Sequence, residues 1–225
     1  MNKKTLLNKW CDKAWMKFGC LITAVITILI TINWNTWSTE LKVIAGIAGL
    51  IPIHVLEEWI FPGGFHYQYN TVMKSDYLNC YPMNRLADMI TNLVATFLYI
   101  ILTIICIING NVSMGIRIGT IIFCMLEFII HSLFGFIMWK KFKSNGKTTI
   151  YGPGSVTAYL GFGFFGALLF GTMHGYNITS QDWFVAILIL AFILIICILL
   201  PQNLLKKKDS EYYFSSAGYF EKYIK

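Results

Sequence analysis

The chain has 225 residues, of which 56 % are hydrophobic and 13 % charged, with a mean hydropathy of +0.61. That balance excludes an ordinary soluble domain, and apolar stretches of about 20 residues, enough to cross about 30 Å of hydrocarbon, recur along the chain. A net charge of +7 would suit nucleic acid, but the positions of the charges assign it to membrane topology and anionic lipid, so no nucleic-acid partner is expected.

Taken in order, apolar runs bounded by charge, turn residues or tryptophan predict six helices at 18–37, 41–61, 87–109, 114–139, 151–174 and 182–201. The basic N-terminal segment lacks a short apolar core with a small-residue cleavage site, so the first span is expected to stay. With the N-terminus in the cytoplasm, 16 of the 18 Lys and Arg residues fall on that side, leaving only Lys42 and Arg117 outside. The positive-inside rule then predicts an all-α, six-helix transmembrane bundle with both termini cytoplasmic. It is read as a single integral membrane domain: a basic arm over 1–17, the spans over 18–201 and a polar, tyrosine-rich tail over 202–225, expected along the headgroups. A bacterial cytoplasmic membrane is the expected location. Trp34, Trp37 and Trp183 mark one interface, and Trp15, Trp59 and Trp139 the other. The six cysteines form no CxxC pair and mostly sit in or beside apolar segments, which predicts neither a disulfide framework nor a zinc knuckle.

Function is sought in the polar residues inside the spans. IPIHVLEEWIF in the second span sets His54, Glu57 and Glu58 at i, i+3 and i+4, on one stripe of a helix. In the fourth span, Glu127 and His131 stand at i and i+4, and in the third Asn84, Asp88 and Asn92 repeat every fourth residue. At about 1.5 Å per residue, His54 lies about 12 Å above Pro62 and His131 about 13 Å above Lys140, so the two histidines share a level. Asn92 comes in from the same side, whereas His174 lies at the outer end. One polar cluster in the cytoplasmic half, built from spans two, three and four, is therefore expected.

An ionisable group within a span costs roughly 2.5–3.5 kcal/mol, and no Lys or Arg inside the spans is placed to pair with three glutamates. Protonated histidines, neutral carboxyls or a divalent metal could each compensate. Carboxylates and imidazoles converging from several helices are also the ligands of di-metal carboxylate sites, although those use the reverse order, Glu-x-x-His. Plainer readings stay open: a protonated Glu127 bonded to a neighbour, Asp88 as a helix cap or solvent-exposed group, Asn84 and Asn92 as glue between helices, His66 as a loop residue, and the glycines of span five as packing contacts.

The residues HVLEE at 54–58 resemble the motif that names the HXXEE family of small multi-pass membrane proteins. The FPGGF turn, Asn92, His131 and YGPGSVTAY at 151–159 extend that resemblance over most of the chain. It implies a multi-pass bundle with a shared His/Glu constellation, suspected of enzymatic activity but without an established reaction. A looser analogy of chemistry links Glu57, Glu58 and His131 to intramembrane proteases of the CAAX-processing type. Their expected arginine after the Glu-Glu pair and their later His-x-x-x-Asn/Asp element are absent here.

These readings predict a metal-dependent membrane hydrolase open to the cytoplasmic leaflet, acting on a lipid or lipid-linked substrate. His54, His131, Glu57 and Glu58 are the expected ligands of a divalent metal, zinc first, with iron or manganese as alternatives. Glu57, Glu58 or Glu127 would act as the base, with Asn92, His66 and Tyr151 in support. The alternatives are a carboxylate-bridged di-iron oxidase, a non-enzymatic proton, ion or ligand binder, and a structural subunit whose cluster only fixes helix packing.

Overall fold

The computed structural model describes residues 5–224, so Lys3, Lys4 and Lys225 of the predicted basic termini lie outside the described residues. Within that range the chain is helical, with no strand. In chain order the elements are α1 (Leu6–Ile32), α2 (Thr39–Trp59), α3 (Phe65–Val72), α4 (Arg85–Asn109), α5 (Met114–Phe142), α6 (Ser155–Gly171) and α7 (Ser180–Leu205). Five of these are long and apolar enough to cross a membrane: α1, α2, α4, the α5 helix with its following turn, and α7. The predicted fifth span corresponds to α6, which is apolar but shorter. The predicted arm does not stand apart from the first span, since α1 runs through it from Leu6.

Helix starts follow local chemistry. Ser38, Asn84 and Ser113 each accept a hydrogen bond from a first-turn N–H of α2, α4 and α5, and Thr179 with Asp182 forms a reciprocal capping box on α7. Glycine precedes α3 and α6 without offering a side chain, Gly64 at φ 102° before α3 and Gly154 at φ 88° before α6. Two of the first N–H groups of α6 are satisfied from another helix, by Glu57 of α2.

α2 is the central element, packed against α1 on one side and α4 on the other, with α6 also against it, while α5 packs on α6 and α7. Small residues bring the backbones close. A Cβ at Gly19 would stand 3.0 Å from Pro52, and Thr23 Oγ1 donates to the Gly49 carbonyl at 2.8 Å, beside the gap that Pro52 leaves in the α2 ladder. Gly161 and Gly166 of α6 sit against Leu50 and Cys124, as the packing reading of that span expects, whereas Gly171 faces open space. The polar anchors lie at the two ends. At one end Arg117 pairs with Glu40 at 2.9 Å, and at the other Arg85 pairs with Asp12 and donates to Asn8 Oδ1 at 2.9 Å.

The first and last described segments meet at the Arg85 end, where Asn8 donates to the Glu211 carbonyl. The tail does not lie apart on a surface. Phe214, Phe220 and Tyr223 are buried, and Phe220 packs with Tyr67 and Phe142. The physical reason is the aromatic content that the polar composition of the tail conceals: these rings find a wall in α3 and the end of α5, and Lys147 is enclosed among Tyr219, Phe220 and Tyr223.

Candidate metal centre

α2 ends in HVLEEW, and its 3.6-residue repeat sets Glu58 about 40° from His54 on one side and Glu57 about 60° from it on the other. α5 delivers Glu127 and His131 from the facing side. Glu58 Oε1 lies 3.3 Å from His54 Nε2 and 3.6 Å from His131 Nε2. Glu127 Oε2 lies 3.7 Å from each of the same two nitrogens. The ligand atoms of His54, Glu127 and His131 all lie within 4.8 Å of one another, and Glu58 Oε1 stands beside both imidazole nitrogens without joining that triad. A tetrahedral ion with bonds of about 2.0–2.2 Å spaces its ligand atoms about 3.3–3.6 Å apart, close to the 3.7 Å from Glu127 Oε2 to each histidine Nε2, so this triad could hold a divalent metal. Among the described residues, the ion pairs of Glu58 and Glu127 are with these histidines and with no Lys or Arg.

The shell around the cluster determines its orientation. Glu57 Oε1 accepts from the Val156 N–H at 3.0 Å and the Tyr151 hydroxyl at 3.3 Å, while Oε2 accepts from the Thr157 N–H at 2.9 Å and the Thr157 hydroxyl at 2.6 Å. The carboxylate therefore caps α6, favoured by the partial positive charge at a helix N-terminus. It is occupied on both oxygens and does not join the centre, which departs from the expectation of Glu57 as a ligand or base. Thr157 has one hydroxyl proton and gives it to Glu57, so its oxygen accepts from His54 Nδ1 at 2.7 Å. A neutral His54 then carries its proton on Nδ1 and turns an unprotonated Nε2 toward the centre, the form a metal requires.

Gly154 closes the top. Its φ of 88° lies in the left-handed region, and a Cβ there would stand 2.2 Å from His131 Cε1 and 2.9 Å from His54 Cε1. Phe65 stacks on the His131 ring with centroids 5.1 Å apart, and Phe162 meets His54 edge-on at 5.3 Å.

Other predicted residues stand elsewhere. Asn92 donates to the Asp88 carboxylate at 3.1 Å, and Asp88 accepts from Trp59 Nε1 at 2.5 Å, so the third span supplies a neighbouring pair and no group of the centre. Asp88 is buried, against the expectation of a cap or a solvent-exposed group, because the Trp59 indole covers it. Asn84 does join helices, donating to the Leu205 carbonyl at 2.9 Å. His66 is buried with its ring flat on Phe214 at 3.7 Å, and burial holds its pKa down at about 3. Tyr151 reaches the site only through Glu57. Thr157 and Gly154 escaped the sequence reading. The signal was in hand, since both lie in the YGPGSVTAY segment, but only the tertiary fold sets that segment over HVLEE.

No curated protein and no solved structure matches this chain. A family model does match residues 45–169, a span that includes His54, Glu58, Glu127, His131 and the Gly154–Thr157 cover, and the chain belongs to the family described as "Protein of unknown function with HXXEE motif".

Proposed function

We propose that this chain is a metal-dependent integral membrane enzyme, a hydrolase of lipid or lipid-linked substrates, with six spans and both termini in the cytoplasm. The observation that carries the reading is that the ligand atoms of His54, Glu127 and His131 lie within 4.8 Å of one another inside an apolar bundle, with Glu58 Oε1 3.3 and 3.6 Å from the two imidazole Nε2 atoms. His54, His131 and Glu127 would hold the ion, zinc first, with iron or manganese as the other candidates. Such an ion, when bound, lowers the pKa of a coordinated water toward about 7 and polarises an ester or amide carbonyl.

The protein's own groups do the rest. Glu58 Oε1, facing both imidazoles, is placed to accept a proton from a water lodged between them and to return it to a leaving group. Thr157, held by Glu57, keeps the His54 proton on Nδ1 and so keeps Nε2 available. Phe65, Phe162 and Gly154 fix the two rings and exclude bulk water around them.

The test is metal content by inductively coupled plasma mass spectrometry on detergent-purified protein, for wild type, His54→Ala, His131→Ala, Glu127→Gln and Glu58→Gln, beside product analysis in lipid vesicles. Stoichiometric zinc lost in the first three variants is expected. Glu58→Gln should keep zinc and lose lipid hydrolysis. Wild type free of metal after zinc-replete expression, with every variant folded, would defeat the reading. Zinc lost also in Glu58→Gln would make the centre a closed, structural one.

A further inference from the structure

The four groups of the centre are not equally enclosed. The side chains of His54, Glu58 and His131 are 6 %, 4 % and 1 % exposed, and that of Glu127 is 24 % exposed. Access to the centre therefore has a direction, and the surroundings of each residue define it.

At the Arg85 end, residues 208–224 tie three loops together. The Lys208 and Tyr212 carbonyls accept from Cys80 Sγ and the Arg85 N–H, and the Phe214 N–H donates to the Asn79 carbonyl. The Tyr219 N–H donates to the Gly63 carbonyl, and the Tyr223 carbonyl accepts from Asn145. Gly218, at φ 57°, packs directly on the Gly63–Gly64 backbone, where any Cβ would stand 2.5 Å from Gly63. Above this layer Phe65 covers His131 and Gly154 covers both imidazoles. Backbone pairing at loop after loop makes this segment a floor.

The side of α5 is different. Around that helix Glu127 shares a stripe with the buried Phe123, His131 and Phe134, yet its side chain is 24 % exposed, and the adjoining face carries the exposed Leu126, Ile130 and Leu133. The exposed stripe is wholly apolar and faces lipid in a membrane-spanning helix. Of the groups of the centre, the Glu127 side chain is thus the most exposed, and its neighbours Leu126 and Ile130 belong to that apolar face.

We infer that the centre is loaded sideways from the bilayer, through an opening beside Glu127, while residues 208–224 close the route from water. The substrate is then an amphiphile already dissolved in the membrane. Its polar reacting group passes Leu126 and Ile130, and its hydrocarbon chain stays in lipid. The inference shares the centre with the metal-enzyme reading, and it rests on that reading for the chemistry once the substrate has arrived.

Carbodiimides of opposite solubility test it without knowledge of the substrate. The carboxyl adds across the reagent: its proton goes to one nitrogen, its oxygen to the central carbon, and the acyl group then shifts to nitrogen as a stable N-acylurea, with nothing lost. Metal-stripped wild type in lipid vesicles is treated with dicyclohexylcarbodiimide or with a water-soluble carbodiimide, and adducts are mapped by peptide mass spectrometry. A several-fold excess of the dicyclohexyl adduct at Glu127, with Glu57 and Glu58 unmodified and the adduct absent in Glu127→Gln, is expected. Equal or greater modification of Glu127 by the water-soluble reagent would overturn the sideways route, as would no adduct at Glu127 with either. Zinc added first separates the two readings. An adduct that zinc does not prevent leaves the opening in place and defeats Glu127 as a ligand. Stoichiometric zinc in protein that forms no adduct once stripped defeats the opening and leaves the metal centre.

Discussion

One methyl group added at Gly154 is driven into both histidines of the centre. An alanine Cβ there would stand 2.2 Å from His131 Cε1, 2.8 Å from His131 Nδ1 and 2.9 Å from His54 Cε1. Neither ring has room to retreat, since Phe65 lies against His131 and Phe162 against His54. Alanine must also adopt a φ of 88°, which costs about 1–2 kcal/mol, and overpacking of a tight site adds about 1–3 kcal/mol. The sum of about 2–5 kcal/mol corresponds to a fall in Tm of about 4–20 °C for a chain of this size. The displaced Nε2 atoms should weaken zinc binding by about 10–100-fold, the range for loss of a supporting group around a metal. Differential scanning fluorimetry in detergent, with and without zinc, reads the first effect, and competitive zinc titration reads the second. Gly171→Ala is the control, because nothing lies within 4 Å of its Cβ position. If Gly154→Ala melts within a degree or so of wild type and binds zinc equally well, the two imidazoles are not enclosed by Gly154, Phe65 and Phe162 and the reasoning fails.

Thr157→Val keeps the shape but removes the acceptor of the His54 Nδ1 proton, so zinc affinity should fall by about 10–100-fold with little change in secondary structure by circular dichroism. Glu57→Gln should keep stoichiometric zinc and lower stability by about 1.5–3 kcal/mol, because a charged acceptor of two helix N–H groups becomes neutral; loss of zinc in that variant would return Glu57 to the ligand set. At the opposite end, Arg117→Met alone should cost about 3–5 kcal/mol by leaving Glu40 unpaired, and Arg117→Met with Glu40→Leu should recover most of it. A double variant no more stable than the single one would refute that account. His66 makes stability depend on acid. Its folded pKa is held at about 3 by burial against 6.5 in the unfolded chain, so the unfolded state binds the extra proton between those values. The contribution is whole above about pH 6.5 and falls by about 1.4 kcal/mol per pH unit as the pH drops toward 3. The Tm of His66→Phe should therefore decline less steeply than that of wild type over that window, and parallel curves would refute it.

The helices and the pairing of His54 with His131 were legible because both follow from one-dimensional rules. Apolar length marks a span, and helical rise along spans of known direction places residues at equal depth. The role of Glu57 was not legible. Glu57 and Glu58 are adjacent and chemically alike, and only their angular separation on α2 decides which one meets His131 and which one caps α6. Asn92 shared the right depth but faces Asp88, since depth leaves rotation about the helix axis open. The tail misled by composition, because its tyrosines and phenylalanines stay on a surface only until a complementary wall exists, and that wall is made by α3 and the end of α5.

The sequence by itself determined a membrane-embedded helical chain with a His/Glu constellation, because hydrophobicity, charge placement and helical periodicity are local properties that any neighbouring structure must accommodate. Tertiary structure alone decided which carboxylates face the imidazoles, that Thr157 and Gly154 hold them, and that Glu127 is the least enclosed group of the centre. Those outcomes depend on the rotation of α2, α5 and α6 against one another, which is set by the sum of all packing contacts and by no single segment.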